Sequence, residues 1–87
     1  MHVPKSVFTR SYGLLLELLK KTRKKARVSQ TELARRLGRP QPFVSYVERG
    51  ERRIDVIEFY AIMRALDADP EGAFSDLVRQ LPSRVDI

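Results

Sequence analysis

The residues with the clearest chemical meaning in this 87-residue sequence are its cations. Six of the eight residues from 20 to 27 are Lys or Arg, and no anion interrupts them. Residues 1–54 carry fourteen cations and four anions (+10), whereas residues 55–87 carry three cations and seven anions (−4), in agreement with the total of +6. One end of the molecule should therefore attract a polyanion such as nucleic acid. Charge alone is also compatible with a merely solvated basic surface.

Few residues could carry catalysis or hold a metal ion. The chain has no Cys, which excludes a disulfide scaffold, a thiolate metal site and a cysteine nucleophile. The single histidine, His2, leaves almost no basis for a histidine metal site or a Ser-His-Asp triad. The four Gly stand singly, so no glycine-rich loop is available to cradle a phosphate. The sequence predicts a binding protein that is not an enzyme and uses no metal or cofactor.

Length and hydropathy favour one soluble, cytoplasmic domain. The composition is 43% hydrophobic, which is typical of a chain that folds. Its longest apolar run, residues 14–16, ends at Glu17 and is far shorter than the roughly 20 residues that a membrane span requires. No cleavage-site pattern follows that run. We therefore expect no membrane partner.

Helical spacing of apolar residues begins near Ser11. Before it, residues 1–10 show no period and contain Pro4, so we expect a loosely held N-terminal arm. Apolar residues at 12, 15, 16, 19 and 26 then predict a first helix from Ser11 to about Arg27.

Two short helices joined by a tight turn follow, over about residues 30–49. Ser29 and the Glu three positions after it have the spacing of a capping box, in which side chain and backbone bond reciprocally. Gly38 can supply the left-handed residue that ends the second helix. The third helix should begin at about Gln41, because Pro42 is tolerated only in a first turn.

Two further helices complete the predicted fold. Asp55 and the Glu three positions after it form a second capping box, and Asp69-Pro70 is a typical helix start. Pro82 ends the last helix. The sequence thus predicts an all-α chain of five helices, with a domain over residues 11–81 and a C-terminal tail over residues 82–87.

Helices this short can pack their apolar faces only if they cross steeply, which is the geometry of a helix-turn-helix unit. The outer face of the third helix then remains free, and a helix fits the major groove of duplex DNA. The relevant residues run from Val28 to Gly38, from Gln41 to Ser45, and over Glu48-Arg49-Gly50. On these residues the chain resembles the Cro/CI-type, XRE-like helix-turn-helix family over about residues 12–68.

The resemblance implies a compact five-helix bundle of the lambda-repressor-like type. It implies a bacterial or phage transcriptional regulator, in most members a dimeric repressor, that acts in the cytoplasm and associates with the nucleoid when it binds double-stranded DNA. It also implies a structural ion pair between Arg23 and Glu48, and a Gln30 that bonds a phosphate while bracing Gln41.

Contacts with DNA are assigned by the same resemblance, supplemented by charge and position. The residues expected to contact bases are Gln41, Pro42, Ser45 and Tyr46. The residues expected to contact phosphates are Ser29, Gln30, Arg39, Arg49, Arg52, Arg53, Lys24 and Arg27. Pro42 and Tyr46 depart from the small polar and the long polar residues usual at their positions. The number of hydrogen-bonded bases is therefore reduced, and apolar contacts and DNA shape gain weight.

The last helix offers two readings. Its apolar residues, which either complete the core of one chain or form a dimer interface, are Phe74, Leu77, Val78 and Leu81. The resemblance favours a homodimer with recognition helices about 34 Å apart. A different class of function is also open: an antitoxin or controller that binds a partner protein, with DNA binding secondary. An RNA-binding role is disfavoured because the aromatic residues form no stacking platform.

Overall fold

The structure is a computed structural model that describes residues 9–85, and within this range the chain forms five α-helices and no strand. Their bounds are α1 Arg10–Lys25, α2 Gln30–Leu37, α3 Pro42–Glu48, α4 Val56–Ala65 and α5 Pro70–Gln80. The predicted all-α fold class is confirmed. None of these helices is both long enough and apolar enough to traverse a lipid bilayer.

The ends of α1 differ from the predicted ones. The side chain of Thr9 accepts a hydrogen bond from the Tyr12 N–H at 3.1 Å, so the helix begins at Arg10 and the predicted arm is shorter than residues 1–10. The rest of that arm, residues 1–8, lies outside the described residues, and so does His2. At the other end Arg27 has a φ of 60°, which turns the chain out of the helix two residues after Lys25.

The start of α2 contains half of the predicted capping box. Ser29 Oγ accepts from the Glu32 N–H at 3.0 Å, but the Glu32 carboxylate turns away from the helix start and accepts from Arg35 and Arg36. Two guanidinium groups outcompete one backbone amide because charge-assisted hydrogen bonds are stronger. Gly38, with a φ of 66°, ends α2 as predicted.

The starts of α4 and α5 follow the sequence closely. At α4 the capping box is complete: Asp55 Oδ1 accepts from the Glu58 N–H at 2.7 Å, and Glu58 Oε1 accepts from the Asp55 N–H at 2.9 Å. At α5 the Asp69 side chain accepts from the Glu71 N–H at 3.2 Å, and Pro70 is the first helical residue.

The core lies where α2 and α3 pack on α1 and α4. Leu33, Val47 and Met63 are the largest of its fully buried side chains, with at most 2% of their surface exposed. Leu77 of α5 is also buried, at 6% exposure, and therefore belongs to the core of the single chain. This removes Leu77 from the predicted dimer interface. The side chains of Phe74 and Val78, in contrast, are about half exposed (52% and 50%).

Candidate nucleic-acid interface

The outer face of α3 is open to solvent. Phe43, Val44 and Val47 point into the core, while the opposite side of the helix carries the residues expected to contact bases. Of these, Gln41, Pro42 and Tyr46 are exposed and Ser45 is half-buried. The 3.6-residue period of a helix thus separates the side chains that hold α3 in place from those that can reach a ligand.

Cations border this face on several sides. Arg39 lies in the turn before α3, Arg49 is the C-cap residue of α3, and both side chains are exposed. The other residues expected to contact phosphates are Lys24, Arg27, Ser29 and Arg53, which are exposed, and Gln30 and Arg52, which are half-buried. Arg39 and Arg49 therefore place positive charge at the two ends of a helix face that is free to approach a polyanion.

A buried ion pair fixes α3 to α1. Arg23 donates through Nε to Glu48 Oε2 at 2.7 Å, through Nη2 to Glu48 Oε1 at 3.0 Å, and through Nη1 to the Val28 carbonyl at 2.9 Å. Gln30 Nε2 adds a further bond to Glu48 Oε1 at 2.9 Å. The bidentate geometry and the extra donors satisfy the carboxylate away from water. Arg23 and Glu48 are thus structural, and they set the position of α3.

Gln30 and Gln41 are not bonded to each other. The Gln30 amide is engaged with Glu48, whereas Gln41 Nε2 donates to the hydroxyl of Thr31 at 3.2 Å. The expected brace between the two glutamines is therefore wrong for this chain. Thr31 bonds Gln41 instead, and no sequence motif predicted this contact.

A second cluster joins the segments on either side of α3. The guanidinium carbons of Arg39 and Arg52 lie 4.7 and 4.9 Å from the centre of the Phe43 ring. Both arginines also donate to Glu58, Arg52 with two bonds at 3.1 and 2.8 Å and Arg39 with one at 3.3 Å. Phe43 is 8% exposed beneath them, which excludes it from base contact.

Electrostatics keep this cluster ionised. The Arg52 guanidinium, and after it the Asp55 N–H, hold the pKa of the Glu58 carboxyl below its ordinary value. The same carboxylate raises the pKa of Arg52. The sequence assigned Glu58 only to the start of α4. Its second role depends on Arg39, which is nineteen residues away along the chain.

Two further arginines lie over aromatic rings. The Arg49 guanidinium carbon is 5.3 Å from the Tyr46 ring centre, and this arginine also pairs with Glu51 at 3.1 Å. The Arg53 guanidinium carbon is 4.2 Å from the centre of the Tyr12 ring. The hydroxyl of Tyr12 accepts a hydrogen bond from the backbone N–H of Ile54 at 3.1 Å. These contacts limit where each cation can move.

Within residues 9–85, no group of three His, Cys, Asp or Glu side chains is placed to hold a metal ion. The chemistry that this surface offers is instead hydrogen bonding and charge. The solvent-exposed face of α3, with arginines beside it, can contact both the bases and the backbone of a duplex.

This arrangement has counterparts among known proteins. A family model, helix-turn-helix, matches residues 19–72. A solved structure, that of an XRE-family like protein from Pseudomonas syringae pv. tomato str. DC3000, is 46% identical in sequence with a TM-score of 0.80, and the match covers 90% of this chain and 98% of that one. The chain belongs to the XRE-like helix-turn-helix family. Comparison with curated proteins gives no match.

Membership of the XRE-like family confirms the resemblance drawn from residues 28–50. The protein is a DNA-binding regulator of the XRE type, a family that is generally not enzymatic. Within the family match, α2 and α3 are the two short helices joined by the turn at Gly38.

Proposed function

We propose that this protein binds a partly palindromic operator as a homodimer and represses transcription by occluding polymerase. The observation that carries the proposal is the outward face of α3, where Gln41, Pro42 and Tyr46 are exposed between flanking arginines. A helix presented in this way can enter the major groove while the cations meet the phosphates on either side. Its site of action is then the cytoplasm, on the nucleoid.

Affinity and discrimination come from different residues in this proposal. Exposed cations around α3 supply most of the binding free energy through counterion release. Gln41 carries the hydrogen-bonded readout, and Pro42 packs against a thymine methyl group. Tyr46 adds one hydroxyl, and its ring is already covered on one side by Arg49 at 5.3 Å.

We assign the dimer interface to α5. Phe74 and Val78 are half exposed there, Leu81 is half-buried, and Phe74 also contacts Phe59 edge-on with ring centres 6.3 Å apart. A domain this small gains stability when such residues are shared with a second copy. A two-fold axis would set the recognition helices about 34 Å apart, one helical turn of DNA.

The test is selection from a random duplex library by the purified chain at two salt concentrations. We expect an enriched, partly palindromic site, with log K falling by about 0.9 per log unit of salt for each of roughly six to eight phosphate contacts. Gln41→Ala should cost about 1–3 kcal/mol on the enriched site and far less on random duplex. Equal losses on both duplexes would show that Gln41 does not read sequence, and affinity that barely changes with salt would end the electrostatic account.

A second candidate function, binding of a protein partner as an antitoxin or controller, is favoured by one observation. Val56, Ile57 and Tyr60 at the start of α4 are 73%, 71% and 54% exposed, which leaves three large apolar side chains in solvent. Molar mass by light scattering on the protein purified from its native host separates the two candidates. A homodimer supports the regulator alone, and a stoichiometric complex with an unrelated chain supports the second candidate.

A further inference from the structure

We infer that Thr31 is a positioning residue for Gln41, a role that rests on the proposed function of Gln41 in reading bases. The side chains come from different helices, ten residues apart in sequence, and meet through a hydrogen bond of 3.2 Å from Gln41 Nε2 to Thr31 Oγ1. Both residues are exposed on the side of the molecule where α3 faces solvent. The bond is therefore part of the surface that would meet DNA.

The neighbour of Thr31 cannot serve in its place. Gln30 Nε2 is 2.9 Å from Glu48 Oε1, and Glu48 is itself held by the bidentate pair with Arg23. Moving Gln30 towards Gln41 would remove one donor from a carboxylate whose side chain is only 4% exposed. Thr31 follows Gln30 in α2, and its hydroxyl is the group that accepts the hydrogen bond from Gln41.

The bond matters because Gln41 has little else to hold it. Gln41 is the N-cap residue of α3, yet its side chain makes no cap hydrogen bond, and a free glutamine side chain has several accessible rotamers. Thr31 lies in the first turn of α2, where a β-branched side chain has few rotamers of its own. The Thr31 hydroxyl is therefore nearly fixed, and the hydrogen bond restricts the rotamers of the Gln41 side chain.

Anchoring Nε2 leaves two groups of the Gln41 amide free. One Nε2 hydrogen bonds to Thr31, and the second hydrogen and Oε1 remain available as a donor and an acceptor. A donor–acceptor pair of fixed orientation matches one pattern on a base edge and mismatches the others. Thr31 should thus sharpen the choice of base through Gln41.

The experiment compares Thr31→Val, Thr31→Ser and Gln41→Ala with the unmodified chain. The probes are the duplex that the unmodified chain selects from a random library, its single-base-pair variants at the position where Gln41→Ala loses preference, and a random duplex. Valine keeps the branched shape and removes the hydroxyl, whereas serine keeps the hydroxyl. We expect Thr31→Val to reduce discrimination at that position by about two- to tenfold, and Thr31→Ser to retain it.

A merely structural role for Thr31 predicts something different. Positioning requires that Thr31→Val leave the melting temperature and the affinity for random duplex unchanged, and that it add nothing in the Gln41→Ala background. Equal weakening on all duplexes, or unchanged discrimination, overturns the inference while the function of Gln41 stands. If the unmodified chain selects no duplex at all, the proposed function fails, and this inference fails with it.

Discussion

The buried ion pair between α1 and α3 allows a quantitative test of how α3 is held. Arg23→Met preserves the length of the side chain and removes its charge and its donors. The Glu48 carboxylate, 4% exposed, would lose two hydrogen bonds of 2.7 and 3.0 Å, and the Val28 carbonyl would lose one of 2.9 Å. Only the Gln30 amide would still bond Glu48. Leaving one ion of a buried pair without its partner costs about 3–5 kcal/mol.

Urea unfolding followed by circular dichroism measures this loss. A small domain has a total stability of about 5–15 kcal/mol and an m-value of about 1–3 kcal/mol/M, so the midpoint should fall by more than about 1 M at unchanged m. Arg35→Met is the matched control, because it breaks the pair with Glu32 in which the arginine side chain is 72% exposed, and it should shift the midpoint far less.

A double variant separates the ion pair from simple packing. Arg23→Met together with Glu48→Met removes the stranded charge and should recover most of the lost stability, because apolar replacement of a whole buried pair is often neutral. The reasoning is refuted if Arg23→Met costs no more than Arg35→Met, or if the second substitution fails to restore the midpoint.

Three further predictions concern single residues of the helices and their caps. Gly38→Ala should destabilise the protein by about 1 kcal/mol, because φ at this position is 66°. Gly13→Ala should instead stabilise it by about 0.5–1 kcal/mol, because Gly13 lies inside α1 and nothing lies within 4 Å of an added Cβ. Thermal melts in which both substitutions shift the melting temperature in the same direction would contradict this. Asp55→Ala should cost about 1 kcal/mol in urea unfolding, and a cost near zero would mean that the box with Glu58 is unimportant. The guanidinium groups of Arg35 and Arg36 lower the pKa of Glu32 to about 2. The contribution of this carboxylate to stability is therefore complete above about pH 4.5 and is lost as the pH falls towards 2. A titration of the Glu32 carboxyl by NMR with a midpoint at 4.5 would disprove the ion pairs.

Much of the fold was predictable from the sequence because its determinants are local. A helix start depends on a side chain and an amide two or three residues apart, as at Asp55 and Asp69, and a helix stop depends on one residue that tolerates a positive φ, as at Gly38. The outward face of α3 followed in the same way, because the apolar period at Val44 and Val47 turns the opposite positions, Pro42 and Tyr46, to solvent.

The partners of polar side chains were decided only by the tertiary structure. Each polar group had several candidates of suitable chemistry, and the choice depended on which one the helix crossing brought within 3 Å or so. Gln30 of α2 bonds Glu48 of α3 instead of Gln41. Glu58 accepts hydrogen bonds from Arg39, which precedes α3, and from Arg52, which follows it.

Sequence alone determined the five helices, the basic half of the molecule and the outward face of α3, since periodicity, caps and charge act over a few residues. Tertiary structure alone decided that Thr31 holds Gln41 and that Leu77 is buried, although its neighbour Val78 is 50% exposed. The physical reason is that a side chain's partner and its exposure depend on distances between helices, and those distances arise from the packing of the whole core.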